Sequence, residues 1–289
     1  MKATEKWSIL SLLNATRDYL EKKKIENPRL QTELLLCEVI CCKRLDLYLN
    51  FDKPVKPAEL SCFRNMVKRT AQGEPIQYII GHVDFMGNRI KVDPRVLIPR
   101  FETEILVQKA AEVLSSFNNC WNKKILDLCT GSGCISVAIA NLVPEINITA
   151  TDISPLALAL AFDNAKTNGV DNRIQFKQSD LFNSLETDEK FNLIVSNPPY
   201  ISEDEYKILP ASITAYEPSI ALLAGKDGLD YYRHIFLKAR TLMVENGILM
   251  LEIGDKQANT VAALAESHNW RVKELFNDLN SIPRVAVLI

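Results

Sequence analysis

The tetrapeptide Asn197-Pro198-Pro199-Tyr200 follows directly on an apolar run, residues 191–196. Such a run is typical of a buried parallel strand, and ligands of open α/β sheets lie just beyond the carboxyl ends of these strands. The Asn197 side-chain oxygen and the Pro198 carbonyl can accept hydrogen bonds, and Tyr200 offers an aromatic face. The pattern indicates a clamp for a planar nitrogen that carries N–H bonds. The plain alternative is a strand-to-loop turn.

A glycine-rich segment, residues 125–133, is predicted to run from a strand through a tight turn into a helix. A nicotinamide dinucleotide fingerprint would have a third glycine or alanine where Ser136 stands, so that class of cofactor is disfavoured. The spacing from Asp127 to Gly133 instead resembles the first motif of S-adenosylmethionine-dependent methyltransferases, where the carboxylate faces the methionine end of the cofactor. The candidate cofactor residues of this segment are Asp127, Cys129, Thr130, Gly131, Ser132 and Gly133.

Two more predicted strands end in acidic residues. Residues 146–152 end at Asp152, whose carboxylate can accept from both hydroxyls of a ribose. Residues 174–181 include Asp180 and Leu181, and in class I methyltransferases this position contacts the adenine. Each acid alone is more often a loop or cap residue. Four such positions at four strand ends favour a cofactor site, to which Asn197 also contributes.

Length and pattern predict an α/β protein with a smaller front domain. Residues 1–75 are predicted to form a small helical bundle, with helices at 8–24, 29–42 and 58–72. Residues 76–100 form a linker with a β-hairpin that turns at Gly87-Asn88. Residues 101–289 form the catalytic domain, a seven-stranded sheet with an antiparallel edge.

Composition excludes several classes of protein. The seven cysteines and three histidines show no metal-ligand spacing, so no metal site is expected. No apolar run reaches transmembrane length, and Lys2, Glu5 and Lys6 do not open a signal peptide, so we expect a cytoplasmic protein without membrane contact. Residues 1–75 hold 14 Lys and Arg against 10 Asp and Glu, and the whole chain has a net charge of −2. This distribution lacks the basic stripe of a protein that binds nucleic acid directly and stably.

Two further segments narrow the assignment to one family. Residues 73–81 and the stretch Leu97-Ile98-Pro99-Arg100, together with 127–133 and 196–201, resemble the bacterial peptide chain release factor glutamine methyltransferases. The resemblance extends over nearly the whole chain. It implies a class I, Rossmann-like methyltransferase domain with S-adenosylmethionine as cofactor, and a front bundle that binds class 1 release factors.

The resemblance also implies a reaction and roles for the clamp. The methyl group goes to the side-chain amide nitrogen of the glutamine in the Gly-Gly-Gln motif of the release factor. Asn197, Pro198 and Tyr200 would be catalytic, and the substrate would contact Asn197, Pro198, Pro199, Tyr200 and Glu217. We expect Glu217, with Pro218, to shape the substrate site, and we expect a monomer.

Three positions depart from the family pattern. Cys129 stands where glycine is more frequent, Phe101 replaces the usual proline after Pro99-Arg100, and residues 278–285 lack the customary glycine-arginine-aspartate-arginine run, which leaves Arg284 without an assigned role. None of the three changes Asn197 itself.

Two other classes of function stay open. A nucleic-acid amino methyltransferase can use the same clamp, because the exocyclic nitrogen of adenine or guanine is also planar and bears N–H bonds. A non-catalytic protein that binds cofactor and partner is the second alternative, although such a protein needs no clamp.

Overall fold

A computed structural model describes residues 7–116 and 123–289. The predicted absence of a signal peptide was based on Lys2, Glu5 and Lys6, which lie outside the described residues. The chain divides into two compact units: residues 1–81 with 211–216, and residues 82–210 with 217–289. In the described part of the chain, no helix combines the length and apolar character needed to cross a membrane.

The first unit is built from helices. They are α1 (Ile9–Lys22), α2 (Pro28–Ile40), α3 (Arg44–Leu49), α4 (Pro57–Thr70), α5 (Ile76–Ile80) and, in the later segment, α10 (Ala211–Thr214). The Ser8 side chain caps α1, and a proline opens both α2 and α4, where its missing N–H is not needed. The core includes Leu12, Leu35, Leu36, Leu47, Phe63 and Met66. The Tyr216 hydroxyl ties the later segment to this unit by donating to the Gln72 carbonyl.

A β-hairpin opens the second unit. Strands β1 (His82–Phe85) and β2 (Asn88–Lys91) pair antiparallel. The turn residues are Met86 and Gly87, which have φ angles of 49° and 75°. The predicted turn at Gly87-Asn88 was therefore wrong by one residue, because Asn88 already pairs with Phe85. A type I′ hairpin turn requires positive φ at both central residues, and Met86 adopts it without being glycine.

The rest of the second unit is a seven-stranded sheet with helices. The strands are β3 (Lys123–Leu128), β4 (Ile146–Asp152), β5 (Ile174–Gln178), β6 (Phe191–Ser196), β7 (Met243–Glu252), β8 (Val272–Asn277) and β9 (Pro283–Leu288). The helices are α6 (Phe101–Ser116), α7 (Cys134–Leu142), α8 (Pro155–Thr167), α9 (Glu203–Ile208), α11 (Asp230–Lys238) and α12 (Ala258–Ser267). Side chains such as Leu126, Ile194 and Leu249 are fully buried in its core.

The strand order is β5-β4-β3-β6-β7-β9-β8. The predicted seven-stranded sheet is thus confirmed, but its antiparallel strand is not at the edge. Strand β9 runs antiparallel to both β7 and β8, so β8 forms the edge and points the same way as β3 to β7. Strands β8 and β9 form a hairpin, and the later strand, β9, is the one that lies next to β7. The order of these two strands in the sheet therefore cannot be predicted from their order in the chain.

Asn164 on α8 joins three parts of the second unit. Its Oδ1 accepts from the Lys91 N–H at 2.8 Å, and its Nδ2 donates to the carbonyls of Lys91 and Ser132 at 3.0 and 2.9 Å. The side chain is fully buried. It therefore anchors the β-hairpin and the glycine-rich loop to the same helix.

We predict that Asn164→Ala lowers the free energy of unfolding by about 2 to 3 kcal/mol, because it leaves buried backbone groups without partners. Urea unfolding followed by circular dichroism measures the change. Thr167→Ala, an exposed position on the same helix, is the control and should change stability by less than about 0.5 kcal/mol. Equal effects of the two substitutions would contradict an anchoring role for Asn164.

Candidate active site

A cavity opens at the carboxyl ends of the parallel strands. Of the candidate cofactor residues, eight line it: Cys129, Thr130, Gly131, Ser132, Asp152, Asp180, Leu181 and Asn197. Pro199 and Pro218 from the substrate set line it as well. Asp127, Gly133, Pro198, Tyr200 and Glu217 are not part of the cavity wall. Residues from the ends of four strands, β3 to β6, are therefore brought to one cavity.

Asp127 is a fully buried carboxylate at the end of β3. Its Oδ2 accepts from the hydroxyls of Thr130 and Ser136, each at 2.6 Å. Its buried Oδ1 has no hydrogen-bond partner among the described residues. Burial raises the pKa of Asp127 to about 6, although the two hydroxyls oppose the rise. Ser136, which replaces the third glycine of the dinucleotide fingerprint, thus supports the motif carboxylate instead.

Asp152 organises the glycine-rich loop. Its Oδ2 accepts from the Gly131 N–H and its Oδ1 from the Ser154 N–H, both at 2.9 Å. Each carboxylate oxygen has a second lone pair, so Asp152 can hold the loop and still accept from a ligand in the cavity. Burial raises its pKa, and the two backbone N–H groups oppose that shift.

Cys129 adopts a φ of 58°, in the left-handed region that favours glycine. This explains physically why a glycine fits better at this position, and it means that the cysteine costs about 1 to 2 kcal/mol of backbone strain. Burial raises the pKa of the Cys129 thiol, and the nearby charges of Asp152 and Asp127 raise it further. The thiol is therefore neutral and not a nucleophile.

Beyond β5, the cavity is lined by Asp180 and Leu181, with Tyr231 from α11. Asp180 is exposed, and Leu181 has a φ of 48°. An exposed carboxylate beside an aliphatic and an aromatic side chain suits a flat, nitrogen-rich ring, because the acid accepts N–H bonds and the side chains contact the ring faces.

The Asn197 amide is oriented by a neighbouring helix. Its Nδ2 donates to the Thr103 Oγ1 of α6 at 3.2 Å, which leaves Oδ1 as an acceptor for another group. The following residues Pro198 and Pro199 are buried. The Asn197 Oδ1 is therefore free of this contact, and its use as an acceptor for a substrate stays a prediction.

Tyr200 is held by the loop that follows β7. Its carbonyl accepts from the Gln257 side chain at 2.8 Å. A Cβ atom at Gly254 would lie 2.8 Å from the Tyr200 ring, so only glycine allows the ring this position. Burial raises the pKa of the Tyr200 hydroxyl, which keeps it neutral and excludes it as a base near neutral pH.

Glu217 holds the stretch Leu97-Ile98-Pro99-Arg100 in place by hydrogen bonds. The carboxylate is buried, with Oε2 accepting from the Ile98 N–H at 3.1 Å and Oε1 from the Arg100 guanidinium at 2.5 Å. The contacts place Glu217 behind residues 97–100, of which Leu97, Pro99 and Arg100 line the cavity. The sequence did not indicate this bracing, since Ile98 and Glu217 are 119 residues apart.

The other two unusual positions lie outside the cavity. Phe101 begins α6 and is 82% exposed. Arg284 on β9 pairs with Asp278 at 3.0 Å, which gives it a structural contact within the closing hairpin. Among the residues that the structure describes, no group of three His, Cys, Asp or Glu side chains could hold a metal ion.

Sequence reasoning missed Thr103 and Glu252. Both are 2% exposed, and Thr103 lies close enough to Glu252 to lower the pKa of its carboxyl group. The available signal for Glu252 was its place at the end of the apolar run 248–251, the same signal that marks Asp152 and Asn197. Thr103 has no such signal, because a lone threonine near the start of a helix is common.

Comparisons with known proteins agree with the architecture. A family model described as the PrmC N-terminal domain matches residues 11–81, and one described as a methyltransferase small domain matches residues 103–215. A release factor glutamine methyltransferase from Geobacter sulfurreducens is 41% identical over 98% of this chain and 96% of its own length. One from Rhodopirellula baltica is 37% identical over 96% and 95%.

A solved structure supports the fold at low sequence identity. The hMettl16 catalytic domain in complex with MAT2A 3'UTR hairpin 6 superposes with a TM-score of 0.54, at 12% identity, over 82% of this chain and 84% of that chain. The predicted Rossmann-like methyltransferase fold is confirmed.

The raised pKa of Asp127 predicts how stability depends on pH. Folded Asp127 keeps its proton to about pH 6, whereas the unfolded residue loses it near pH 4. The stabilisation by the protonated group is therefore complete below about pH 4 and is lost as the pH rises to about 6. We predict that, between these pH values, wild type loses about 2 to 3 kcal/mol of unfolding free energy relative to Asp127→Asn.

Urea unfolding of both proteins at half-unit steps from pH 4 to 7 tests this prediction. Asp180→Asn, which removes an exposed carboxylate of the same cavity, should give a curve parallel to wild type. Parallel curves for wild type and Asp127→Asn would contradict the buried, protonated state of Asp127.

Proposed function

The chain belongs to the release factor glutamine methyltransferase family, and from this premise we propose that it methylates the glutamine of the Gly-Gly-Gln motif in class 1 peptide chain release factors. The enzyme is a methyltransferase, and the proposed acceptor is the side-chain amide nitrogen. The observation that carries the proposal is the Asn197–Thr103 hydrogen bond, which leaves the Asn197 oxygen to accept from a substrate N–H.

The cavity suits S-adenosylmethionine as methyl donor. This cofactor supplies an electrophilic methyl group on a positively charged sulfonium. Asp152 would accept from the ribose hydroxyls, and Asp180 with Leu181 would contact the adenine. The buried Asp127 Oδ1, which has no partner in the described part of the chain, supports an acidic environment for the cationic methionine end. Thr130, Gly131, Ser132 and Gly133 would shape the loop around it, with Cys129.

The clamp residues would act by position and electrostatics. An amide nitrogen is a poor nucleophile because its lone pair is delocalised. Hydrogen bonds from its two N–H groups to the Asn197 oxygen and the Pro198 carbonyl would align it with the methyl group and favour the positive charge that develops on it. The proton becomes acidic only during transfer, so we assign no general base. Tyr200 would pack against the flat amide, next to Pro199.

We assign the first unit to release-factor binding, and we place the enzyme in the cytoplasm as a monomer without membrane contact and without stable binding to nucleic acid. The net positive charge of residues 1–75 supports contact with an acidic or ribosome-associated partner.

Asn197→Ala should reduce methylation of a release factor at least about 100-fold, since it removes a hydrogen bond made to the reacting group. The measurement is mass spectrometry of a purified bacterial release factor after incubation with the enzyme and S-adenosylmethionine. We expect a gain of one methyl group on the Gly-Gly-Gln glutamine with wild type.

Asn192→Ala is the matched control for this experiment. Asn192 lies on the same strand, and its side chain accepts from the Lys124 N–H away from the cavity, so the variant should keep wild-type activity. Transfer to RNA or DNA instead of the release factor would establish the nucleic-acid alternative. No transfer to either would support the non-catalytic binding protein.

Glu217→Ala should lower kcat/KM by about 10 to 100-fold, because the Ile98 N–H and the Arg100 guanidinium lose their buried acceptor and the segment that lines the cavity shifts. Steady-state kinetics with the release factor measure the loss. Glu217→Gln retains an oxygen for Ile98 and should be less impaired. Glu112→Ala, which breaks an exposed pair with Lys109, should behave as wild type. An unchanged kcat/KM in Glu217→Ala would remove the proposed role of Glu217.

A further inference from the structure

Asn197 is the first of three neighbouring side chains that lead into the protein interior. Its Nδ2 donates to the Thr103 Oγ1 at 3.2 Å, and Thr103 lies close enough to Glu252 to lower the pKa of that carboxyl group. Thr103 and Glu252 are each 2% exposed. The three side chains therefore lead from the proposed point of substrate contact to a buried acid on another strand.

The sheet places Glu252 beside Asn197. Ser196 on β6 is in register with Leu251 on β7, so the next residues, Asn197 just after β6 and Glu252 at the end of β7, lie at the same level of the sheet. The Tyr232 hydroxyl donates to the Glu252 carbonyl at 2.9 Å and steadies the strand end.

A carboxylate at this position is costly for the fold. Its Oε2 is buried and has no hydrogen-bond partner among the described residues. Burial raises the pKa of Glu252 to about 7. An apolar side chain at this position would avoid the desolvation cost of a buried carboxylate. The presence of an acid at position 252 is therefore not explained by a contribution to stability.

We propose that Glu252 is a positioning residue that sets the orientation of the Asn197 amide through Thr103. In this arrangement the Thr103 hydroxyl donates to Glu252, since an ionised carboxylate can only accept. The Thr103 oxygen then accepts from the Asn197 Nδ2, and the Asn197 Oδ1 is left for the substrate N–H. This inference rests on the proposed function, because it gives Asn197 the role of acceptor for the substrate.

The charge of Glu252 adds a second effect. A negative charge at the inner end of a hydrogen-bond chain polarises each bond along it. The Asn197 oxygen then becomes a better acceptor at the moment when positive charge develops on the substrate nitrogen. Protonation of Glu252 removes this polarisation. It also allows the carboxyl group to donate to Thr103, so the direction of the hydrogen bonds between the three side chains is no longer fixed.

Charged groups from several elements act on Glu252. Glu102 on α6 raises its pKa, whereas Arg284 on β9 and Arg100 lower it. The hydroxyls of Tyr200 and Tyr232 are also close enough to interact with it, and both remain neutral because burial raises their pKa. Since the carboxylate is charged above about pH 7, the oriented chain should form as the pH rises through neutrality.

The test is the pH profile of kcat for release-factor methylation, measured with saturating S-adenosylmethionine from pH 5.5 to 9. Wild type should lose activity below about pH 7. Glu252→Gln should have at least a tenfold lower kcat at pH 8.5 and should lack the change near pH 7, while the KM for S-adenosylmethionine changes less than twofold.

Further variants separate positioning from folding. Thr103→Val, which breaks the chain at nearly constant volume, should reproduce the Glu252→Gln profile, and Thr103→Ser should restore most of the activity. Glu102→Gln keeps the chain intact and removes a neighbouring charge, so it should retain the wild-type plateau with the change shifted to lower pH. Thermal melting confirms that each variant is folded.

The outcomes distinguish this inference from the proposed function. Full activity of Asn197→Ala would overturn the proposed role of the clamp. An inactive Asn197→Ala, together with wild-type kcat and pH profile in Glu252→Gln or in Thr103→Val, would overturn only the role of Glu252.

Discussion

The register of four parallel strands is the constraint on which the site depends. Leu128 pairs with Thr151 on one side and with Ser196 on the other, and Ser196 pairs with Leu251. The next residue of each strand therefore appears at one edge of the sheet: Cys129, Asp152, Asn197 and Glu252. The Ser196 hydroxyl donates to the Leu128 carbonyl at 2.7 Å and fixes the central pair at this edge. A slip of one residue would turn every side chain of a strand to the opposite face, so the apolar core and the site are specified together.

The residues at these strand ends lower the stability of the fold as well as form the site. Burial raises the pKa of Asp127, Asp152 and Glu252, and Cys129 adds backbone strain at its positive φ. Each feature lowers the stability of the protein without ligand, and each lies within or beside the cavity. A cationic ligand would offset the repulsion between the acids. The interior below this edge is filled mainly by buried apolar side chains, for example Ile125, Ile148, Leu193 and Leu249. Such a contrast between a consistent core and a strained edge is expected where a site has to be preorganised.

The sequence predicted those parts of the fold that local pattern determines. Strands β4 and β6 were predicted with their observed limits, because an apolar run ends at a polar residue in each. The helices α3 and α5 were not predicted, since six and five residues are too few to show helical periodicity. The order of β8 and β9 depends on packing, as does the contact between Glu217 and Ile98. Thr103 and Glu252 were missed for a related reason, because the residues that lie near each of them in the structure are distant in sequence.

The chemistry of the clamp limits what it alone can recognise. Two acceptors beside an aromatic face fit any conjugated nitrogen with two N–H bonds, which describes the amide of glutamine and the exocyclic amine of a base equally well. An ammonium group fits less well, because it is not planar and has a third N–H. The clamp therefore selects the type of nitrogen, and the choice between a protein and a nucleic acid must come from surfaces outside it. We expect the acidic excess of the second unit to disfavour a phosphate backbone, and this favours a protein loop as the substrate that reaches Asn197.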